Sequence, residues 1–245
     1  MYRLPIRLAY FLVAAAVVGG CSNPSDSDEP EPDPALGPKP VLRNLGVNFD
    51  VAFTVEGFGE THYKFIDFGF EVRDFQGELK ALPHFTYTLD RSVEIISPMK
   101  GYVLSIDLQE LSDDYSIWLK PHGDPTLWLV EFDHVTQLNV SKGDDVEVGD
   151  ILGYPGGRGT FGTVELMVNG PDAHVCPFEV FAPDAATEMQ GKLAVFMAAW
   201  DAAKWTLPED NIYHPNFPNS QFVPYGDIDM VVPGCRILKI PYPGE

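Results

Sequence analysis

Residues 142–153 read KGDDVEVGDILG, and this stretch decides which fold the sequence is expected to adopt. Two Gly-Asp pairs, at 143–144 and 149–150, flank a Val-Glu-Val segment, and an Ile-Leu-Gly triplet follows. Glycine and aspartate are favoured in tight turns, whereas valine and isoleucine are favoured in strands. The pattern therefore predicts a compact turn that joins short β-strands.

The sequence on both sides of this turn also has the pattern of short strands. Apolar residues, many of them aromatic, recur in near-alternation between glycines and prolines. The predicted strand regions are VNFDVAFTV (47–55), YKFIDFGFEV (63–72), VEIISPMKGYVLSI (93–106), DYSIWLKP (114–121), TLWLVEF (126–132) and GTVELMVNG (162–170). This organisation predicts a mainly-β domain.

One segment, residues 185–205, has a convincing helical pattern, and Asp184 is its predicted N-cap. Its apolar residues recur at helical spacing and predict a face that docks on the β-structure, formed by Met189, Leu193, Phe196, Met197 and Trp200. The rest of the tail, to Glu245, is proline-rich and is expected to be irregular.

The first residues have the pattern of an export signal. Arg3 and Arg7 precede a short apolar run, and small residues lead to Cys21. Val18-Gly19-Gly20-Cys21 resembles a bacterial lipobox, in which the cysteine becomes the lipidated N-terminus. Residues 21–41 then alternate proline with acidic residues and predict an extended tether. By the sorting rule of such lipoproteins, Ser22 after the cysteine predicts the outer membrane, facing the periplasm, if the host is Gram-negative.

The charge limits the range of partners. The sequence has 16 Lys and Arg against 36 Asp and Glu, a formal charge of −20. Removing Arg3 and Arg7 with the signal leaves 14 basic residues and a charge of −22. Nucleic acids and anionic lipid surfaces need cationic partners, so both are unfavourable ligands for this chain.

The three cysteines predict one disulfide. With Cys21 acylated, Cys176 and Cys235 remain as a pair in an oxidising compartment. A bond between them would tie the C-terminal tail to the main domain. The wide spacing and the lack of a CxxC motif argue against a metal or redox role for the pair.

Four motifs in a fixed order resemble the lysostaphin/LytM-type zinc metallopeptidases, which have a duplicated hybrid-motif fold and cut cell-wall peptide bridges. VEIISPMKGYV (93–103) matches the first half-motif, FDHV (132–135) the aromatic-x-His-Leu motif, and KGDDVEVGDILG the hammerhead turn. FGTVELMVNG (161–170) stands where the family has a sequence close to HLHFEVRVNG, and CPFEVF (176–181) resembles its exit. The resemblance covers about residues 84–181.

Biotin and lipoyl carriers and sugar-transport phosphocarriers contain similar turns, but neither class fits. A carrier needs a modified lysine at the tip of a hairpin between the half-motifs, whereas Lys100 in SPMKGYV stands in the first-half turn. A phosphocarrier works in the cytosol, which the export signal contradicts.

The resemblance implies where a zinc site would be. The family binds zinc through a histidine, an aspartate four residues later, and the second histidine of His-x-His, and the His-Leu motif supplies a general base. Here Thr88 replaces the aspartate, and Phe161 and Thr163 stand at the two positions of His-x-His. The retained histidines, His84 and His134, are the candidate catalytic residues.

A rearranged metal site is the alternative, with His84, Asp90, His134 and Glu165 as candidate ligands. Asp90 lies two residues beyond the position of the family's aspartate, and Glu165 matches a supporting glutamate. Catalytic zinc needs three protein donors of the nitrogen, sulfur or carboxylate type, which the family's own positions no longer supply. We therefore expect no cofactor, and zinc only if the alternative holds.

These observations predict a signal peptide (1–20), a lipidated cysteine and tether (21–41), a LytM-like β domain (42–181) and a C-terminal helix and tail (182–245). The predicted function is that of an envelope lipoprotein with a degenerate, non-catalytic domain that binds peptidoglycan peptide or regulates a cell-wall hydrolase. The alternative is an active zinc metalloendopeptidase with relocated ligands. A purely structural envelope protein is a third hypothesis.

Overall fold

The computed structural model describes residues 37–49, 65–74, 76–123, 126–157, 161–204 and 224–237. The strands of this part of the chain are β1 Phe65–Ile66, β2 Glu71–Arg73, β3 Leu79–Ala81, β4 His84–Asp90, β5 Ile95–Ile96, β6 Gly101–Gln109, β7 Asp114–Lys120, β8 Leu129–Thr136, β9 Asp145–Val146, β10 Ile151–Pro155, β11 Phe161–Asn169, β12 His174–Val175, β13 Met230–Val232 and β14 Cys235–Arg236. Helix α1 spans Pro183–Lys204, and short 3-10 helices span Pro177–Val180 and Tyr225–Asp227. The predicted mainly-β class with one C-terminal α-helix is confirmed for these residues.

The main sheet has the strand order β1-β4-β11-β8-β7-β6-β9, and its neighbouring strands are antiparallel. Strand β10 pairs with β5 and with β8, and β12 pairs with the last two residues of β11. Every second residue of β11 is buried, which is the alternation expected of a strand with one face on the core. The other face of the sheet carries polar side chains.

The two Gly-Asp pairs of the quoted stretch form two equivalent turns. Gly143 and Gly149 have φ angles of 91° and 92°, a conformation that favours glycine. Asp144 and Asp150 each accept, through Oδ2, a 2.8 Å hydrogen bond from the backbone N–H three residues earlier. The repeated motif is thus explained by a repeated local requirement of the backbone.

The apolar core lies between the sheet, helix α1 and the segments that lead into β5 and β10. Phe196 of α1 packs against Tyr87 of β4, with ring centroids 6.2 Å apart. The predicted helix face is buried, including Met189, Leu193 and Trp200. No helix of the described residues is long and apolar enough to span a lipid bilayer.

Two details of the predicted elements differ. The helix begins at Pro183, so Asp184 lies in its first turn and is not the N-cap residue. Its negative charge there interacts favourably with the helix dipole, and its carboxylate pairs with Arg43 at 3.0 Å. The predicted strand 63–72 is broken after Ile66, because a turn from Asp67 to Phe70 places Gly69 at a φ of 83°. The predicted strand 47–55 lies largely outside the described residues, as do the signal, Cys21 and most of the tether.

The C-terminal hairpin β13–β14 is held to the domain by two kinds of link. The predicted disulfide between Cys176 and Cys235 is present. The neighbouring Arg236 forms a two-pronged ion pair with Asp67, which has no exposed surface, and its guanidinium lies 4.7 Å from the ring centre of Phe70. The disulfide and the buried ion pair therefore attach the C-terminal hairpin to the main domain.

Removing the disulfide is expected to weaken the fold substantially. The bond joins cysteines 59 residues apart, and closing a loop of that length stabilises a folded chain by about 4 kcal/mol in the chain-entropy model. The double variant Cys176→Ser/Cys235→Ser should lose roughly 2–4 kcal/mol of unfolding free energy in urea denaturation. Reduced wild type should show the same loss, and an unchanged midpoint in both would contradict the structural role of the bond.

Candidate functional site

The polar face of the sheet brings the candidate residues together through strand register. Glu165 of β11 lies opposite Thr86 of β4 on one side and Asp133 of β8 on the other. Two residues further along β11, Met167 lies opposite both His84 and Glu131. Because side chains of opposed residues point to the same face, these polar groups form a continuous patch across three strands.

A bulge in β8 adds His134 to this patch. Val135 and Phe132 pair with Tyr115 and Ile117 of β7, so Asp133 and His134 together oppose the single residue between them, Ser116. His134 has a φ of 61°, a left-handed conformation that is costly for a residue other than glycine or asparagine. The bulge therefore places two adjacent residues of the sequence on the same face, which a regular strand does not allow.

The His134 ring is oriented by a buried carboxylate. Its Nδ1 lies 2.9 Å from Oδ2 of Asp114, which is only 1% exposed and also accepts a hydrogen bond from Ser112. A carboxylate accepts, so Nδ1–H is the donor and Nε2 is free to bind a proton or a metal. Gly156 covers the pair so closely that a Cβ there would lie 2.8 Å from the same Asp114 oxygen.

Asp133 and Glu165 complete a group of possible metal ligands with His134. Their ligand atoms all lie within 4.8 Å of one another. Ser116 and Gln109 both donate hydrogen bonds to Oδ1 of Asp133, so this carboxylate has a fixed orientation. Asp133 was missed by sequence reasoning, because its proximity to Glu165 depends on the register of β8 and β11.

His84 closes the other side of the group. Its Nδ1 lies 3.0 Å from the hydroxyl of Thr86, and its Nε2 lies 3.6 Å from Oε2 of Glu165. Thr86 donates its hydroxyl hydrogen to Glu165, which leaves the hydroxyl oxygen to accept the Nδ1–H of His84. The lone pair of Nε2 therefore faces the Glu165 carboxylate.

The charges of this cluster are strongly shifted by burial. Burial, together with His174 and His134, lowers the pKa of His84 to about 3, so this imidazole is neutral and its contact with Glu165 is not an ion pair. Burial also raises the pKa of Glu165 to about 7, with His134 lowering it and Asp133 raising it. The pKa of Glu131 is likewise raised to about 7, chiefly by burial, although Asn169 donates a 3.2 Å hydrogen bond to it. The patch therefore contains more carboxylates than the positive charge around them can neutralise.

Of the positions that the motif resemblance assigns to zinc ligands, two are occupied by threonine and one by His84. Thr88 and Thr163 lie directly opposite each other, and Phe161 lies opposite Asp90. A threonine hydroxyl is not a usual zinc ligand, and a phenyl ring provides no donor. The candidate donors instead lie two residues further along β11, at Glu165 and the side chains beside it.

The predicted candidates separate into two groups. His84, His134 and Glu165 come together, whereas Asp90 lies at the opposite end of β4 from His84 and accepts hydrogen bonds from Ser92. Six strand residues span roughly 20 Å, too far for a shared ion. Cys21, the predicted lipidation site, lies outside the described residues.

The sequence analysis also did not identify Asp114 as a site residue. It opens a predicted strand, an exposed type of position, yet the structure buries it beneath His134. Pairing of that strand with the one containing FDHV is the information that would have identified it.

The comparisons with known proteins find solved structures only. No protein-family model matches the sequence, and no curated protein matches it. Among solved structures, a solution structure of lysostaphin is 13% identical with a TM-score of 0.39, and the match covers 73% of this chain and 62% of that one. The lysostaphin catalytic domain from Staphylococcus simulans is 15% identical with a TM-score of 0.38, covering 52% of this chain and 97% of that one.

A structure of LytU is 20% identical with a TM-score of 0.39, and the match covers 47% of this chain and 82% of that one. A putative M23 peptidase from Pseudomonas aeruginosa is 18% identical with a TM-score of 0.37, covering 57% and 51% of the two chains. The structures retrieved are thus M23/LytM-family peptidases at low identity, the family that the sequence motifs resemble. TM-scores below 0.5 leave the chemistry of this chain to be argued from its own residues.

Replacing Glu131 with glutamine is expected to stabilise the protein at alkaline pH. In the folded chain the pKa of Glu131 is about 7, above its ordinary value of 4.5. The stability that the protonated carboxyl contributes is therefore fully present below pH 4.5 and is lost as the pH rises through 7. After allowance for partial solvent screening, Glu131→Gln should gain about 1–2 kcal/mol of unfolding free energy at pH 8.

The measurement is urea denaturation of both proteins in EDTA at pH 8 and at pH 4. The gain should shrink towards zero at pH 4, where Glu131 is protonated in both the folded and unfolded states of the wild type. An equal gain at both pH values would show that the effect does not come from the charge of Glu131.

Proposed function

We propose that this chain is a lipid-anchored cell-envelope protein whose LytM-like β domain binds cell-wall peptide without cutting it. The observation that carries the proposal is the Thr88–Thr163 pair, which stands where the resembling family has metal-binding side chains. A domain that has lost those donors retains the sheet and its polar face. Peptide binding is the part of the family's activity that such a face still supports.

The chemistry of the polar face favours ligands with amino groups. Its strands carry several carboxylates, including those of Asp107, Asp114, Glu131, Asp133 and Glu165. Asp133, Glu165 and Asp107 all raise the pKa of Glu131, after burial, so these groups are close enough to repel one another. A cationic group bound between them would relieve that repulsion. Cell-wall peptides with free amino groups are therefore the proposed ligands.

The proposal is tested by binding soluble cell-wall peptides to the mature chain in EDTA, with Cys21 replaced by serine to keep it soluble. Asp107→Asn/Asp133→Asn should weaken binding by about ten-fold, equivalent to about 1.4 kcal/mol. The matched control, Asp184→Asn/Glu188→Gln, removes the same charge from α1 and should bind like the wild type. Acetylation of the peptide amino groups should weaken binding to all three proteins.

Equal affinity for free and acetylated peptides, or equal weakening by the α1 control, would contradict recognition by the polar face. Absence of any binding to peptides or to intact peptidoglycan would favour regulation of a hydrolase or a purely structural role.

The second candidate function is a zinc endopeptidase with relocated ligands. It is favoured by the proximity of Asp133, His134 and Glu165. Zinc-loaded protein that releases new amino termini from peptidoglycan, with Glu165→Gln inactive, would replace the non-catalytic proposal with this one.

The anchor and the location are proposed from the lipobox at 18–21 and the acidic tether. In a Gram-negative host, the wild type should fractionate with outer membranes and require detergent for extraction, because acyl chains hold it there. Cys21→Ser should appear in the soluble periplasmic fraction. Release of the wild type without detergent, or an unmodified N-terminal peptide by mass spectrometry, would contradict lipidation.

A further inference from the structure

The described polar face contains a ligand set that differs from that of the resembling family. Asp133, His134 and Glu165 present ligand atoms within 4.8 Å of one another, and none of the three stands at a position where that family binds zinc. They come from two adjacent strands, and the bulge in β8 supplies two of them. The arrangement is thus fixed by backbone pairing rather than by a loop.

Each side chain is held in an orientation that suits a metal ligand. Asp114 binds Nδ1 of His134 and leaves Nε2 for the ligand, which is the arrangement of carboxylate, histidine and metal common in metalloproteins. Oδ1 of Asp133 accepts hydrogen bonds from Ser116 and Gln109. The ligand side chains are therefore held in place by hydrogen bonds from the side chains around them.

His84 provides an independent observation that points to a cation. It is 8% exposed, and its Nε2 faces Oε2 of Glu165 at 3.6 Å, beyond hydrogen-bond distance. Two electron-rich atoms that face each other in a buried place need a cation or a proton between them. Since the Nδ1–H of His84 is directed to Thr86, the lone pair of Nε2 faces the Glu165 side of the ligand group.

We propose that Asp133, His134 and Glu165 bind one divalent transition-metal ion, with Zn²⁺ as the preferred ion. One imidazole and two carboxylates suit zinc and its first-row neighbours, whereas Ca²⁺ and Mg²⁺ prefer a shell of oxygen atoms alone. The ion would neutralise carboxylates that otherwise repel one another. This site goes beyond the proposed peptide binding. The two share Asp133 and Glu165, and the peptide-binding test is made in EDTA so that its outcome does not depend on the ion.

The test is titration of metal-free, full-length mature chain, with Cys21 replaced by serine, with Zn²⁺ alone in a calorimeter at pH 7.5. The wild type should bind one zinc per chain, and Ca²⁺ should not compete. Glu165→Gln and His134→Ala should each weaken zinc binding by at least ten-fold. Asp114→Asn, which removes the carboxylate that holds Nδ1 of His134, should weaken zinc binding by roughly 10–100-fold.

Two control variants distinguish this site from zinc binding elsewhere on the chain. His122 and Asp145 form an exposed pair 3.3 Å apart, so His122→Ala reports on adventitious surface binding and should leave the affinity unchanged. Thr88→Ala/Thr163→Ala removes the hydroxyls at the family's ligand positions and should also leave it unchanged. Thermal unfolding of each apo variant establishes that it is folded.

X-ray absorption at the zinc edge provides a second readout that does not depend on variants. It should show nitrogen and oxygen ligands only, including imidazole. Sulfur ligation, loss of binding in either control, unchanged binding in Glu165→Gln, or no zinc bound by folded wild type would each overturn the proposal.

Discussion

The register of β11 between β4 and β8 is the constraint on which both the core and the polar face depend. Side chains alternate along a strand, so a slip of one residue would turn Val164 and Leu166 outward and direct Glu165 into the core. The observed register buries both apolar residues completely. The burial of apolar surface that stabilises the sheet therefore also determines which polar residues meet.

The bulge at Asp133–His134 is a local cost within this well-paired sheet. A non-glycine residue in the left-handed region costs of order 1–3 kcal/mol, and the buried carboxylate of Asp114 beneath it adds a desolvation cost. Gly156 is required nearby, because a side chain there would collide with His134 and Asp114. The bulge, the buried carboxylate and the glycine do not stabilise the apolar core. Together they direct one imidazole, with a fixed tautomer, onto the polar face. That combination supports a functional role for His134.

The sequence predicted those features that depend on local chemistry. The turns at Gly143 and Gly149 followed from the backbone needs of Gly-Asp, and the buried stripe of α1 followed from helical spacing. The site was only partly predictable: His84, His134 and Glu165 were identified through motif resemblance, whereas Asp133 and Asp114 depend on the pairing of separate strands. Asp90 was a candidate because of its distance in sequence from His84, but in an extended strand that distance becomes a long separation in space.

Exposure divides the polar face into two parts that suit different ligands. The side chains of Glu165 and His84 are 21% and 10% exposed, so their surroundings admit a small ion more readily than a peptide chain. Asp107, on the outer strand β6, is exposed and can approach a peptide amine directly. An ammonium group can only donate hydrogen bonds, whereas a metal ion gathers lone pairs, and the two oriented imidazoles present lone pairs at the inner position. The inner cluster therefore suits a metal ion, and the outer carboxylates suit a cationic peptide.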